Sequence, residues 1–300
     1  LEYDALPGVG HACGHNVICA AGLGAAFALA PLVDELDLKL SVLGTPAEEG
    51  LGGKIGFIDA GYFRDVHAAM MVHPFPTDEA EPALIAVQQL AIDYRGKAAH
   101  AAGFPWMGIN AADAMVVAQT AIGLLRQQLR EGDLVHGFVT KGGDAANIIP
   151  EHTTAHYMIR ADTAARLREL RELVGRCFEA GAVATGAALT IDEDVAYTDM
   201  RHDSEMAAIF QRHGEALGRT YTAPQSPVST DMGNVSYVVP SIHPMVSIET
   251  HGAVNHQKEF ADACAEPSAD QAIFDGALCL ALTAIDVARD EAIRGRLLTN

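Results

Sequence analysis

The chain has 300 residues, of which 49% are hydrophobic and 20% charged, with a formal net charge of −19. This is the composition of a soluble globular protein long enough for two ordinary domains, and it excludes a disordered chain. So large an acidic excess argues against nucleic acid and against an anionic membrane surface as partners.

Taken in chain order, Leu1-Glu2-Tyr3-Asp4 reads as a strand end met at once, as if a preceding segment were missing. Gly10-His11-Ala12-Cys13-Gly14-His15-Asn16 follows. Cys13 and His15 stand two apart, and the flanking glycines allow a tight turn that brings both side chains to one point. Thiolate and imidazole both suit zinc-like ions. A free cysteine is more often a small buried hydrophobe, but the whole string favours ligation. Residues 16–36 are rich in Ala and Gly and helical in character. Leu38–Gly44 reads as a buried strand that stops at Thr45-Pro46.

Glu48-Glu49 comes directly after that strand. An acidic pair at a helix start is commonly just a solvated cap. Here adjacent carboxylates point in different directions, so one can bind metal while the other moves protons. Glu49 is assigned as ligand and Glu48 as general base. Residues 53–63 predict a short helix, and Ala68–Val72 a short buried strand ending at His73-Pro74. Strand, helix, strand with functional residues at the strand ends indicates an α/β sheet, whose ligands collect at the carboxyl ends of the strands.

The run from Pro74 to Pro82 is a proline-rich breaker. Beyond it the pattern predicts a strand over Leu84–Gly96, a helix over Asn110–Leu129, strands over Val135–Lys141 and Thr153–Ala161, a helix over Ala165–Gly181 and a strand over Leu189–Tyr197. That βαββαβ order is the ferredoxin-like unit. A helix over Asp203–Leu217, strand material in Tyr237–Ile248 and a long helix over Ser268–Arg289 restore the α/β character. The fold expected is therefore α/β, a split catalytic domain with a central mixed sheet, over 1–83 and 200–300, interrupted by an inserted ferredoxin-like α+β domain over 84–199. No apolar run reaches membrane-spanning length without charges or glycines. The five cysteines, Cys13, Cys19, Cys177, Cys264 and Cys279, are odd in number and irregularly spaced. They read as reduced thiols of a cytoplasmic protein.

His73 at a strand end and His256 in a polar loop complete the candidate inventory, with His251 a competitor for the second position. Together with Glu2-Tyr3-Asp4-Ala5-Leu6-Pro7, Gly96-Lys97-Ala98-Ala99-His100-Ala101-Ala102, Asn147-Ile148-Ile149-Pro150 and Ser229-Thr230-Asp231-Met232-Gly233-Asn234-Val235-Ser236, the strings resemble the M20 family of metallopeptidases and amidohydrolases. Within it they are similar to the branch holding aminobenzoyl-glutamate hydrolase-like enzymes and dipeptidases acting before a basic C-terminal residue. The resemblance implies two divalent ions per chain (zinc, manganese or cobalt) on Cys13, His15, Glu49, His73 and His256. It also implies a lid domain that dimerises, and hydrolysis of a dipeptide or N-acyl amino acid by a metal-bound hydroxide with Glu48 as base. His100 would steady the oxyanion from the neighbouring protomer of a homodimer. Asn147 and Arg160 would hold the substrate's carboxylate or backbone, Arg through its planar fork. Asp231 and Asn234 would line the substrate pocket. Members of the family carry a segment ahead of the Glu2 motif, which is missing here. The rival expectation is therefore a truncated, non-catalytic metal-binding relative. A thiol enzyme based on Cys13 is disfavoured, because no resolving cysteine stands in a C-x-x-C arrangement.

Overall fold

A computed structural model describes residues 12–224 and 227–299. The Glu2–Pro7 string, the expected strand end at Leu1–Asp4 and the Gly10-His11 start of the first ligand motif lie outside the described residues. The elements are α1 (His15–Leu29), α2 (Gly53–Asp59), β1 (Ala69–Met70), β2 (His73–Phe75), β3 (Ala86–Arg95), α3 (Ala111–Leu125), β4 (Leu134–Lys141), β5 (His152–Ala161), α4 (Ala164–Thr185), β6 (Ala188–Glu193), α5 (Ser204–Ala216), α6 (Met232–Ser236), β7 (Ser241–Ile242), β8 (Met245–Ser247), α7 (Lys258–Ala263), α8 (Pro267–Arg289) and α9 (Glu291–Leu297). By their contacts they form two bodies, a first from residues 12–48, 53–83 and 200–299 and a second from residues 49–52 and 84–199.

In the first body, α1 presents Val17, Ala21, Ala25 and Leu29 to the core, a spacing of four that puts all of them on one face. Small residues on both helices let α1 lie close against α8, where Ala269, Ala272, Gly276 and Cys279 are buried. By length and composition alone, the segments His15–Leu32 and Pro267–Arg289 are apolar enough to cross a membrane. In this structure both contribute buried residues to the first body's core, with Val72, Phe210, Ile242, Val246 and Phe260.

The sheet of the first body is shorter than expected. β1 pairs with β7 in parallel over two positions, and β2 with β8 in parallel over three. Among the described residues, the expected central mixed sheet consists of these two short parallel ladders and a few isolated bridges, one of them the antiparallel Glu79–Met245. Leu38–Gly44 is not a strand, and Leu40 and Val42 are exposed. No neighbour forms a ladder with it among the described residues, and a β-prone run without a partner has no ladder to join. The expected strand over Tyr237–Ile248 is split into β7 and β8 at His243-Pro244, where Pro244 offers no N–H.

In the second body the four-stranded antiparallel sheet has the order β4-β5-β3-β6. Together with the chain order strand, helix, strand, strand, helix, strand, this is the βαββαβ connectivity expected there. Leu90, Ile92 and Tyr94 of β3 and Ala155, Tyr157 and Ile159 of β5 alternate toward α3 and α4, which bring Met115, Ala118, Leu170, Val174 and Phe178. Asn110 caps α3, accepting from the Ala112 and Asp113 N–H groups. Thr163 does the same for Arg166 in α4. The sequence expectation ends this helix at Gly181. It runs on to Thr185 and stops at Gly186, whose φ of 78° is the usual left-handed close. The last strand stops at Glu193, four residues before the expected Tyr197, which returns only as a bridge to Val87.

Candidate metal centre

The first candidate ligands stand at the entry to α1. Gly14 has φ 77°, and a Cβ there would lie 2.4 Å from Pro74 Cγ, so the turn between Cys13 and His15 needs glycine on both counts. Asn16, buried one residue further on, donates to the Cys264 carbonyl at 2.9 Å and pins the helix start. Pro74, against which Gly14 packs, follows His73, so the helix start and β2 meet here. Cys13 Sγ lies 3.5 Å from His73 Nε2. The Nδ1 of His73 is 2.8 Å from the Pro74 carbonyl, which can only accept, so Nδ1 carries the proton. The lone pair of Nε2 is then left facing the thiol, the orientation a metal-binding imidazole needs. The rings of His15 and His73 are perpendicular with centroids 6.1 Å apart.

Glu48 and Glu49 lie in a turn over residues 48–51. Glu48 Oε2 is 3.8 Å from His15 Nε2. His256 enters through its backbone: its N–H donates to the Ala12 carbonyl at 2.6 Å, and its φ is 71°. The neighbouring Asn255 reaches Cys13 Sγ at 3.6 Å. Three overlapping sets result, in each of which the ligand atoms lie within 4.8 Å of one another: Cys13, His15 and His73; Cys13, Glu49 and His256; and His15, Glu48 and Glu49. One soft thiol, imidazoles and carboxylates gathered at this spacing fit zinc- or manganese-type divalent ions. His251, the competitor, turns instead to Glu266 at 3.1 Å.

Other candidates are placed differently. Asp231 is fully buried, and both its carboxylate oxygens are held by Lys54, by the backbone N–H at 2.9 Å and by Nζ at 2.6 Å. In this geometry its carboxylate is turned to Lys54. Asn234 is half-buried within α6. His100, Asn147 and Arg160 belong to the second body. There the Ala101 N–H donates to the Asn147 carbonyl at 3.0 Å and His100 bridges to Ile148, so the two motifs are neighbours. His100 Nδ1 accepts from the N–H groups of Ala102 and Gly103 at 3.2 and 3.0 Å. An accepting Nδ1 puts the ring proton on Nε2, which becomes a donor. Arg160 is half-buried on β5, and burial lowers its guanidinium pKa.

Sequence reasoning missed three participants: Asn255, Lys54 and His243. His243 is 1% exposed, its ring centroid is 5.8 Å from that of His73, and neither of its nitrogens has a partner among the described residues. Burial, with His73, Lys54 and His202 nearby, holds it well below the usual histidine range and so neutral. One signal was available: His243-Pro244, between β7 and β8, repeats the His73-Pro74 dipeptide that opens β2. Of the cysteines, Cys177, Cys264 and Cys279 are buried, while Cys13 is half-buried and Cys19 exposed. Burial pushes the Cys264 and Cys279 thiols up to about 12.

The comparisons with known proteins bear on the family and the fold. The family model described as Peptidase family M20/M25/M40 matches residues 2–281. The Xaa-Arg dipeptidase of Mus musculus is 38% identical over 296 residues, covering 95% of this chain and 68% of the relative. A p-aminobenzoyl-glutamate hydrolase chain of Escherichia coli is 31% identical over 209 residues, covering 61% of this chain and 43% of the relative. Among solved structures, a dinuclear metal-binding M20 peptidase of Bacillus subtilis superposes with a TM-score of 0.70 at 20% identity, over 95% of this chain and 77% of that one, a likeness of mixed α/β fold. On the strength of the family match and the dipeptidase relative, this chain belongs to peptidase family M20/M25/M40 and is a hydrolase.

Proposed function

We propose that the chain hydrolyses the amide bond of a dipeptide or N-acyl amino acid, with two divalent ions on Cys13, His15, Glu49, His73 and His256. The observation that carries the reading is the gathering of those ligand atoms within 4.8 Å in overlapping sets, with the Glu48 carboxylate 3.8 Å from His15. Relatives named as a dipeptidase and as an aminobenzoyl-glutamate hydrolase support the substrate class. Zinc is favoured by the thiol, with manganese and cobalt as alternatives.

Bound there, the ions would supply Lewis acidity, polarising a carbonyl and making water easier to deprotonate. The protein's own part is proton traffic and orientation. Glu48, a carboxylate beside the ligand set, takes the proton of the attacking water and passes it to the leaving nitrogen. His100 presents Nε2–H as a donor for the oxyanion, its other nitrogen fixed by two backbone N–H groups. Arg160, with Asn147, holds the substrate's carboxylate, and Asn234 lines the pocket. In this reading the βαββαβ body is the lid, homodimers form through it, and the enzyme works in the cytoplasm on small molecules.

The test is a Glu48→Gln variant of the full chain, assayed on a panel of dipeptides and N-acyl amino acids. Turnover should fall by about 10²–10⁴-fold, the usual contribution of a general base. Metal content after exhaustive dialysis should stay at the wild-type level. Near-normal turnover would overturn the base assignment, and a wild-type chain that binds metal without turnover would favour a non-catalytic relative.

A further inference from the structure

The turn that carries Glu48 and Glu49 is closed at its neck. Gly53 approaches Pro46 so closely that a Cβ on it would lie 1.8 Å from the Pro46 carbonyl oxygen. Between those two residues, Ala47 has φ 66° and Gly52 has φ 61°. The chain therefore leaves Pro46, reverses through two left-handed residues and returns to the point it left. The two ends of the loop are thus held against each other at its neck. What holds that neck decides where the two carboxylates point.

One residue past the neck stands Lys54, at the start of α2. Its backbone N–H and its ammonium grip opposite oxygens of one carboxylate, that of Asp231, at 2.9 and 2.6 Å. The Lys54 side chain is 8% exposed and that of Asp231 not at all. This two-point grip fixes main chain as well as side chain, across 177 residues of sequence. On the far side, Asp231 precedes α6, whose Ser236 hydroxyl oxygen accepts the Arg201 N–H at 2.9 Å. A buried ion pair is a poor device for stability, because apolar residues of like volume often serve as well. Its strength is directional: it permits one geometry.

We propose that Lys54 and Asp231 are positioning residues that set the Glu48–Glu49 turn, and through it the aim of the general base and of a metal-ligating carboxylate. Neither touches substrate. The proposal rests on the reading of Glu48 and Glu49 given above, and it moves Asp231 from the substrate pocket to the support of the turn.

The test uses the full chain with Lys54→Met, Lys54→Arg and the double apolar variant Lys54→Met/Asp231→Leu. The double variant removes both charges together, so no unpaired charge is left buried, and only the Lys54 N–H loses its acceptor. Two quantities are read on each folded variant: the visible spectrum with cobalt bound, which reports ligand geometry without turnover, and kcat separately from KM. A displacement near 1 Å costs on the order of 100-fold in rate. The double variant should accordingly lose about 10- to 100-fold in kcat with KM nearly unchanged, and its cobalt spectrum should shift. Lys54→Arg should recover part of the loss, which a purely space-filling role would not allow. A folded double variant matching wild type in both spectrum and kcat overturns the proposal. Failure of the Glu48 reading looks different: Glu48→Gln leaves turnover unchanged, while the spectral shift of the double variant still reports the clamp.

Discussion

The second body rests on strands of ten, eight, ten and six residues in one antiparallel sheet, whereas the first rests on ladders of two and three residues between helices. Their buried polar groups differ as well. In the first body, Asn16, His202, Tyr221, His243 and Asn255 each bury a side-chain atom that has no partner among the described residues. In the second, Asp133 and Arg166 meet at 2.6 Å, Tyr94 donates to the Phe178 carbonyl at 2.5 Å, and Asn110 and Thr163 cap their helices. The second body has such an atom too, Thr153 Oγ1 on β5. An unsatisfied buried group costs about 1–3 kcal/mol, so the larger share of this cost falls on the first body. Locally inconsistent structure of this kind collects where function demands it.

This contrast can be broken or sharpened. The largest effect is expected in the second body, at its best-satisfied pair. Asp133 would have its carboxyl pKa raised by burial alone, but hydrogen bonds from Arg166 and the Arg130 N–H outweigh this and hold it below the usual range. Asp133→Asn leaves Arg166 paired only with the exposed Glu169, so stability should fall by about 1–3 kcal/mol in urea unfolding. A loss under about 1 kcal/mol would mean that the pair is screened like a surface one. A smaller, pH-dependent effect belongs to His202 in the first body. Burial lowers its pKa, against the opposing pull of the Pro82 carbonyl and Glu81. The folded protein therefore resists its protonation. Its contribution is complete above about pH 6.5, the ordinary histidine value, and is lost as the pH falls below that toward the lowered folded value. A plot of Tm against pH should be flatter below about pH 6.5 for His202→Asn than for wild type, and parallel curves would remove this residue from the account. The smallest effect is expected at Arg289, whose bond to Glu35 at 3.0 Å joins two side chains that are each more than 60% exposed. Arg289→Ala should change stability by about 0–1 kcal/mol, measured in the same urea series.

Much of the second body was legible in the sequence because its strands alternate and its helices carry a stripe, patterns that extend over many residues. The exceptions, at Gly181 and after Glu193, are boundaries set by where packing and pairing end. Leu38–Gly44 was misread because a β-prone run has no structure of its own without a partner, and partners are not written in local sequence. In the site, Cys13, His15, Glu48 and Glu49 could be picked out because thiol, imidazole and paired carboxylate are scarce types in telling strings, whereas His73 and His256 rested mainly on the family resemblance. Lys54 could not, since its partner lies 177 residues away and nothing periodic links them. His243 was hidden inside an apolar run that reads as buried strand, and Asn255 stood in the shadow of the histidine next to it.

The distribution of thiols adds one consequence. Cys177, Cys264 and Cys279 sit in the cores, and burial disfavours ionisation of each, so their sulfurs are poor nucleophiles. Cys13 and Cys19 are left within reach of solvent, and Cys13 is a member of two of the three ligand sets. Peroxide or an alkylating agent therefore meets the ligand set before it meets the hydrophobic core. Oxidation of Cys13 would subtract the one soft donor from those sets. The fold would survive chemistry that disarms the site, and a bound ion would act as the thiol's shield.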